Sequence, residues 1–132
     1  MFVLSLTAAT PEGLGVRNGK LAGLPDKPNG VSTQTENQDQ WMAPLTYSGS
    51  SEDAMASLRT VVALMPRSSI VEEQELYLRA EFRSAFFRFV DDVEFLIEPE
   101  TSRIHFRSAA RVGYSDMGVN RTRVEEIRDR LR

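Results

Sequence analysis

Charged side chains recur at every second position in the second half of the chain. This spacing places side chains on one face of an extended strand, and guanidinium groups pair with carboxylates or phosphates through parallel hydrogen bonds. The pattern predicts either a ladder of cross-strand ion pairs or a polar binding face. The residues that would hold a ligand on such a face are Arg79, Arg83, Glu94 and Arg107.

Two adjacent carboxylates, Asp91 and Asp92, are the candidate catalytic residues. Counting by two from Phe89, Asp91 points toward the apolar side of its strand, where an ionised carboxylate is costly without a partner. Either a bulge turns it outward, or it accepts hydrogen bonds from backbone or arginine. The third alternative is a catalytic acid or base with a raised pKa.

A loop between the last strand and the last helix forms a second candidate binding site. Gly113 and Gly118 bracket it, and the N–H groups of a helix N-terminus bind anions. Asp116 opposes that reading, because it can cap the helix and would repel an anion. A structural cap and an anion site both stay open. The residues concerned are Arg111, Tyr114, Ser115, Asp116, Asn120 and Arg121.

The elements that position these residues follow from two hydrophobic periods. A 3.6-residue period predicts helices over residues 50–65 and 119–131. A two-residue period predicts strands over residues 69–73, 76–83, 89–98 and 103–111. We expect an α+β fold, with an antiparallel sheet of about four strands and two helices packed on one face.

Short hairpin links set the expected register of this sheet. A turn over residues 99–102 places Glu98 opposite Arg103 and Glu94 opposite Arg107. A turn over residues 84–88 is expected to place Arg79 opposite Asp92 and Tyr77 opposite Glu94. The helix-free face should then be charged and solvated, although a slip in either hairpin would change every pair.

Residues 1–40 read as an extended N-terminal arm that belongs to the same unit as a single α+β domain over residues 41–132. Glycine, proline and polar residues punctuate the arm, and it has no sustained apolar period.

Composition excludes several function classes. The formal net charge of −3 lacks the cationic surplus of a nucleic-acid-binding domain. The chain has no cysteine and one histidine, which argues against structural zinc, iron–sulfur clusters and thiol catalysis. Asp92 and Glu94 share a face and could bind Mg²⁺ or Ca²⁺ through oxygen, but arginines opposite both favour ion pairs instead. We therefore expect no metal and no cofactor. The apolar start is too short to span a bilayer, so the sequence predicts no transmembrane segment and, by default, a cytoplasmic protein.

Two long motifs stand out: YLRAEFRSAFFRFVDDVEF (residues 77–95) and IHFRSAARVGYSDMGVNRTRVEEIR (residues 104–128). With the arm segment LGVRNGKLAGLPDKPNGVSTQ (residues 14–34), they resemble the bacterial and plastid family known as domain of unknown function 1499. The resemblance implies one compact domain and supplies no activity. Many relatives follow a hydrophobic leader, which implies association with the cell envelope as the alternative localisation.

The chain departs from the family pattern in its arm. Relatives commonly carry two cysteines at the positions held here by Leu24 and Gly30. The resemblance implies that they act as a pair in relatives, as a disulfide or a metal clip, and that this chain does without one.

Two function hypotheses follow. The first is a non-catalytic binding or assembly module that recognises a protein partner or a small anion through the charged sheet face and the loop before the last helix. The alternative is an enzyme acting on a small anionic substrate, with an arginine clamp and Asp91 or Asp92 as acid/base. No recognisable catalytic set favours the enzyme.

Overall fold

An antiparallel sheet lies at the centre of the computed structural model, which describes residues 9–85, 89–113 and 115–131. Within these residues its order is β1-β6-β5-β4-β3, and β2 also pairs with β6. The strands are β1 (Gly30–Ser32), β2 (Leu45–Thr46), β3 (Ser68–Glu73), β4 (Tyr77–Arg83), β5 (Val90–Glu98) and β6 (Arg103–Ala110). The helices are α1 (Ser51–Leu64) and α2 (Val119–Leu131).

The α+β class, the antiparallel sheet and the helix pair are confirmed, whereas the described sheet has six strands instead of about four. The additional strands, β1 and β2, are three and two residues long and both pair with β6. Segments this short show no detectable hydrophobic period, so the sequence pattern missed them.

Helix α1 begins and ends where local chemistry requires. The Ser50 hydroxyl accepts a hydrogen bond from the Asp53 backbone N–H at 3.0 Å, which satisfies an N–H that has no partner within the helix. Pro66 follows the C-cap residue Met65 and cannot continue the helix. The buried side of α1 includes Met55, Leu58 and Val62, as the period predicts.

One apolar core joins both helices to the same face of the sheet. Val124 and Ile127 of α2 are buried in it with Leu78, Phe95 and Phe106 of the central strands. Burial of each such large side chain stabilises the fold by about 1.5–3 kcal/mol. The helices therefore cover one face and leave the charged face to the arm.

The β4–β5 register differs from the expected one. Arg79 lies opposite Glu94, and Asp92 lies opposite Glu81, so the prediction that Arg79 faces Asp92 is wrong. The pairing is shifted by two residues, and a shift of two keeps every side chain on its expected face. Hydrophobic alternation could not distinguish the two registers for this reason. The β5–β6 pairs Glu94–Arg107 and Glu98–Arg103 are confirmed.

The centre of the charged sheet face is buried, so the expectation of a solvated face is wrong there, whereas Arg103 at its end is exposed. Asp92 is 1% exposed, Glu94 is 0% exposed and Arg107 is 6% exposed. The arm contacts this face through its backbone: Gly15 N–H donates to the Glu94 carboxylate, and Arg107 donates to the Gly23 carbonyl. A segment without an apolar period can still cover a polar surface, because its backbone supplies the hydrogen bonds.

Candidate functional site

The ion pairs at one end of the covered face centre on Arg111, which directly follows β6. Its Nη2 lies 2.7 Å from Oδ1 of Asp92 and 3.0 Å from Oε2 of Glu81, and its Nε lies 3.1 Å from Oδ2 of Asp92. The hydrogen bond to Asp92 is the main reason that the pKa of Arg111 is raised. Burial alone would raise the pKa of Glu81, yet its contacts with Arg111 and Arg83 hold it below the ordinary value.

Arg79 joins this cluster at longer range. Its Nη1 lies 3.6 Å from Asp92 and 3.7 Å from Glu81, and its Nε lies 3.8 Å from Glu72. Nη1 is buried and has no hydrogen-bond partner in the described part of the chain. Arg79 therefore balances charge in the cluster without a close hydrogen bond at this nitrogen.

The middle of the covered face holds the arm. Glu94 Oε2 accepts hydrogen bonds from the Tyr77 hydroxyl at 2.6 Å and from Gly15 N–H at 2.7 Å. Arg107 donates through Nε and Nη2 to the Gly23 carbonyl, each at 3.2 Å. Burial is the main cause that raises the pKa of Tyr77, and the hydrogen bond to Glu94 is the second. Burial lowers the pKa of Arg107 although Glu94 is near. Glu94 and Arg107 thus bind the chain's own backbone.

Asp91 lies on the helix face, as its position in the alternation predicts. The β4–β5 and β5–β6 registers are continuous through it, so no bulge turns it outward. Its Oδ2 accepts from Arg123 Nη2 at 2.8 Å. Arg123 also donates to the Asn120 side chain at 2.7 Å, and its guanidinium lies 4.6 Å from the centre of the Phe82 ring. Asp91 is therefore a buried partner of α2.

The loop before α2 is capped from within. Asp116 accepts from the Gly118 N–H at 3.0 Å through Oδ1 and from the Asn120 N–H at 3.2 Å through Oδ2. Ser115 Oγ accepts from the Met117 N–H at 3.1 Å. The N-terminus of α2 thus carries a carboxylate of its own chain, the arrangement of a structural cap. Tyr114 lies outside the described residues.

Arg121 and Arg128, on α2, donate to backbone carbonyls of the segment that leads into β2. Arg121 donates to the Asp39 carbonyl at 2.9 Å, and Arg128 donates to the Ala43 and Pro44 carbonyls at 2.8 and 3.1 Å. These bonds attach residues 39–44 to the helix. Arg121 is directed away from Asp91 and Asp92 and toward this segment.

The proposed catalytic arrangement is not assembled. Asp91 and Asp92 lie on opposite faces of the sheet, and each is paired with a different arginine. A shared arginine clamp would need Arg111 and Arg121 to approach the same carboxylate. Arg111 reaches Asp92, while Arg121 contacts carbonyls. The geometry therefore gives no shared acid/base and anion-binding centre among these residues.

A family model described as "Protein of unknown function (DUF1499)" matches residues 20–131. The chain belongs to the DUF1499 family. The match covers both long motifs and begins within the arm, which confirms the resemblance seen in the sequence. No curated protein matches the chain.

Membership in DUF1499 carries no known activity, so the chemistry of this domain rests on its own residues. No helix among the described residues of the DUF1499 domain is long and apolar enough to cross a membrane.

Asp91 gives the DUF1499 domain a measurable pH dependence. Burial raises its pKa above the ordinary 3.8, against the opposing effect of Arg123. The folded state then holds this proton to higher pH than the unfolded state, so the stability contributed by Asp91 falls as pH rises from about 3.8 through the folded pKa.

We expect the Asp91→Asn variant to lack this decline. The free energy of unfolding of wild type minus that of the variant should fall with rising pH, by at most about 1.4 kcal/mol per pH unit. Urea unfolding of both proteins between pH 3 and pH 7 measures the difference. A difference that stays constant or rises over this range would contradict the assignment.

Arg123 as the partner of Asp91 was missed in the sequence. Tyr77, expected directly opposite Glu94, lies opposite Leu96, and its hydroxyl donates to Glu94 from there. A signal for Arg123 was present. Asn120 and Arg123 are spaced to lie near the buried face of α2 with Val124 and Ile127. Polar residues near a buried face require polar partners, and Asp91 was the unexplained acid on the facing sheet.

Proposed function

We propose that this chain is a non-catalytic protein-binding module that makes its main contact through the exposed turn at residues 115–119. The charged sheet face, the other candidate surface, binds the chain's own arm. The exposed side chain of Met117 lies outside that interaction, although the Asp116 N–H of the turn donates to the Pro28 carbonyl of the arm. The turn connects the end of β6 to α2. The binding hypothesis is thereby narrowed from two candidate surfaces to this turn.

The observation that carries the proposal is the conformation and exposure of Met117. Its side chain is 91% exposed, and its backbone has φ 54°, in the left-handed region. That region costs a non-glycine residue about 1–2 kcal/mol. An apolar side chain that is exposed at such a cost does not stabilise this fold by burial. Methionine is enriched at protein interfaces, where a partner can bury it.

The turn is fixed on both sides, so that Met117 is presented from a rigid base. Asp116 donates its backbone N–H to the Pro28 carbonyl at 3.3 Å, and its carboxylate caps α2. Asn120 is 0% exposed and accepts from the Ser108 hydroxyl at 2.6 Å. A preorganised contact loses little conformational entropy when it binds. Val119, 49% exposed, extends the apolar surface beside Met117.

The partner that fits is a different protein with an apolar pocket for the methionine side chain. Long, flexible methionine side chains adapt to irregular apolar pockets. The enzyme alternative receives no comparable support, because Asp91 and Asp92 lie on opposite faces of the sheet.

The Met117→Gly variant separates binding from stability. Glycine removes the side chain and the left-handed strain but adds unfolded-state entropy, so we expect the variant to be about 0.5–1 kcal/mol more stable than wild type. We also expect it to bind the partner at least about tenfold more weakly. Greater stability with weaker binding is not expected of a merely structural residue.

The partner can be identified by site-specific crosslinking in cells, with a benzophenone amino acid placed at position 117. The same amino acid at position 71 is the control, because Val71 is also a partly exposed apolar residue, on β3. The proposal expects one protein crosslinked from position 117 alone, which is then purified for affinity measurements. A crosslink only to a second copy of this chain, or an unchanged Kd for Met117→Gly, would overturn it.

A further inference from the structure

A small groove lies where β3 begins and β4 ends, away from the turn at residues 115–119. Its volume is about 250 Å³, below the range of about 300–1,000 Å³ that drug-sized ligands occupy. A ligand of a few heavy atoms is the size that it suits. The groove is lined by Arg67, Ser68, Ser69, Arg83, Ser84 and Ala85.

Backbone and side-chain hydrogen bonds hold the two arginines of this groove together. The Arg83 N–H donates to the Arg67 carbonyl at 3.0 Å, and Arg67 Nε donates to the Arg83 carbonyl at 3.1 Å. Arg67 has φ 58°, again in the left-handed region. Both arginines are thus fixed at one edge of the sheet. The left-handed backbone conformation of Arg67 costs free energy, as it does for any non-glycine residue.

The guanidinium of Arg67 keeps donors for a ligand. Its Nε is used by the Arg83 carbonyl, and the described part of the chain supplies no acceptor for its two terminal amino groups. Guanidinium amino groups bind the oxygens of phosphates and carboxylates in pairs.

The charge balance near the groove leaves Arg67 in surplus. Arg83 contacts Glu81 at 3.2 Å, and Glu81 is shared with Arg111 and Arg79. In this ion-pair network three arginines face three acids, which are Glu72, Glu81 and Asp92. Among the residues that the structure describes near the groove, Arg67 lies outside these pairs and adds one uncompensated positive charge at the rim.

Serine hydroxyls complete the donor set. Ser84 Oγ accepts from the Phe89 N–H at 2.9 Å, which leaves the hydroxyl hydrogen of Ser84 for another acceptor. Ser69 is exposed on the rim. Ser68 has a structural role instead, because its hydroxyl bonds the Val62 and Met65 carbonyls.

We infer that this groove is a binding site for a small multiply charged oxyanion, phosphate or a phosphate monoester. Arg67 supplies the charge and a pair of N–H donors, Arg83 supplies a second guanidinium, and Ser84 supplies a hydroxyl. Phosphate carries both the negative charge and the several acceptor oxygens that this donor set needs. The inference does not depend on the proposed function of the turn.

The test is a titration of the chain of residues 1–132 with inorganic phosphate. Backbone NMR chemical shifts are recorded at a constant ionic strength set with chloride. We expect saturable shifts at residues 67–69 and 83–85 with a Kd of about 1–10 mM. Phosphoserine, titrated in parallel, shows whether a monoester binds more tightly than the free ion. Shifts that do not saturate, or that lie elsewhere, would overturn the inference.

The Arg67→Asn variant removes the guanidinium with little backbone cost, because asparagine is among the non-glycine residues that best adopt positive φ. Because it also loses the bond from Arg67 Nε to the Arg83 carbonyl, its melting temperature should be slightly below that of wild type. Its Kd for phosphate should rise about tenfold or more. The matched control is Arg103→Gln, which changes an exposed arginine at the opposite end of the sheet. Equal Kd values for wild type and Arg67→Asn would show that the groove is not the site.

Discussion

Replacing Arg111 with methionine is expected to lower the free energy of unfolding by about 3–5 kcal/mol. The Arg111 side chain is 7% exposed and that of its partner Asp92 is 1% exposed. Methionine keeps most of the aliphatic volume but leaves Asp92 and Glu81 directly opposite each other on neighbouring strands. Asp92 is then buried without a hydrogen-bonded cation beside the partly buried Glu81, because Arg79 lies no closer than 3.6 Å to Asp92, and the two carboxylates repel each other. Urea unfolding at pH 7 measures the loss.

Arg130→Met on α2 is the matched control for this prediction. Arg130 forms an ion pair with Glu126 at 2.7 Å, the same distance as between Arg111 and Asp92. Both side chains of the control pair are 45% exposed, and exposed pairs of this kind contribute less than about 1 kcal/mol. Equal losses for the two variants would mean that burial of the Arg111 cluster is not what makes its ion pairs important.

The second large effect is expected for Gly30→Ala on β1. A Cβ at position 30 would lie 2.6 Å from the Cβ of Ala109 and 2.9 Å from the Ser108 carbonyl oxygen. Part of this contact is backbone, so β1 must move away from β6 to relieve it. We expect a loss of about 2–3 kcal/mol in the free energy of unfolding, as in other overpacked sites. Thermal or urea unfolding of the variant checks it.

A second substitution tests whether the close approach is the cause. Ala109→Gly removes the nearest atom, so the double variant should be more stable than the sum of the two single effects predicts. Gly23→Ala is the control, since a Cβ there would meet nothing within 4 Å. Strict additivity between positions 30 and 109 would refute the steric explanation. The same contact explains why a cysteine at position 30 would not fit this chain without a shift of β1.

The elements that the sequence predicts well are those with a long hydrophobic period. Met55, Leu58 and Val62 on α1 and Phe95 on β5 are buried as expected, because each has several neighbours that repeat the pattern. The β5–β6 hairpin register is also correct, since the link between Glu98 and Arg103 is short enough to specify the pairing. Local signals therefore account for most of the core.

The candidate site was predicted less well, because its geometry depends on contacts between distant residues. Nothing in the spacing around Glu94 and Arg107 reveals that their partners are the backbones of Gly15 and Gly23. The β4–β5 register was wrong by two residues, which placed Arg79 opposite Asp92. A polar alternation reports which face a charge occupies, but it does not report what covers that face.

The order of synthesis has a consequence for the arm. Gly15 and Gly23 bind side chains that lie 79 and 84 positions later in the chain. A ribosome therefore releases the arm long before Glu94 and Arg107 are made, and β5 and β6, which carry these residues, must pair before the covered face is formed. We therefore expect the arm to dock late in folding. Until it docks, Glu94 and Arg107 would be open to water on the face without helices.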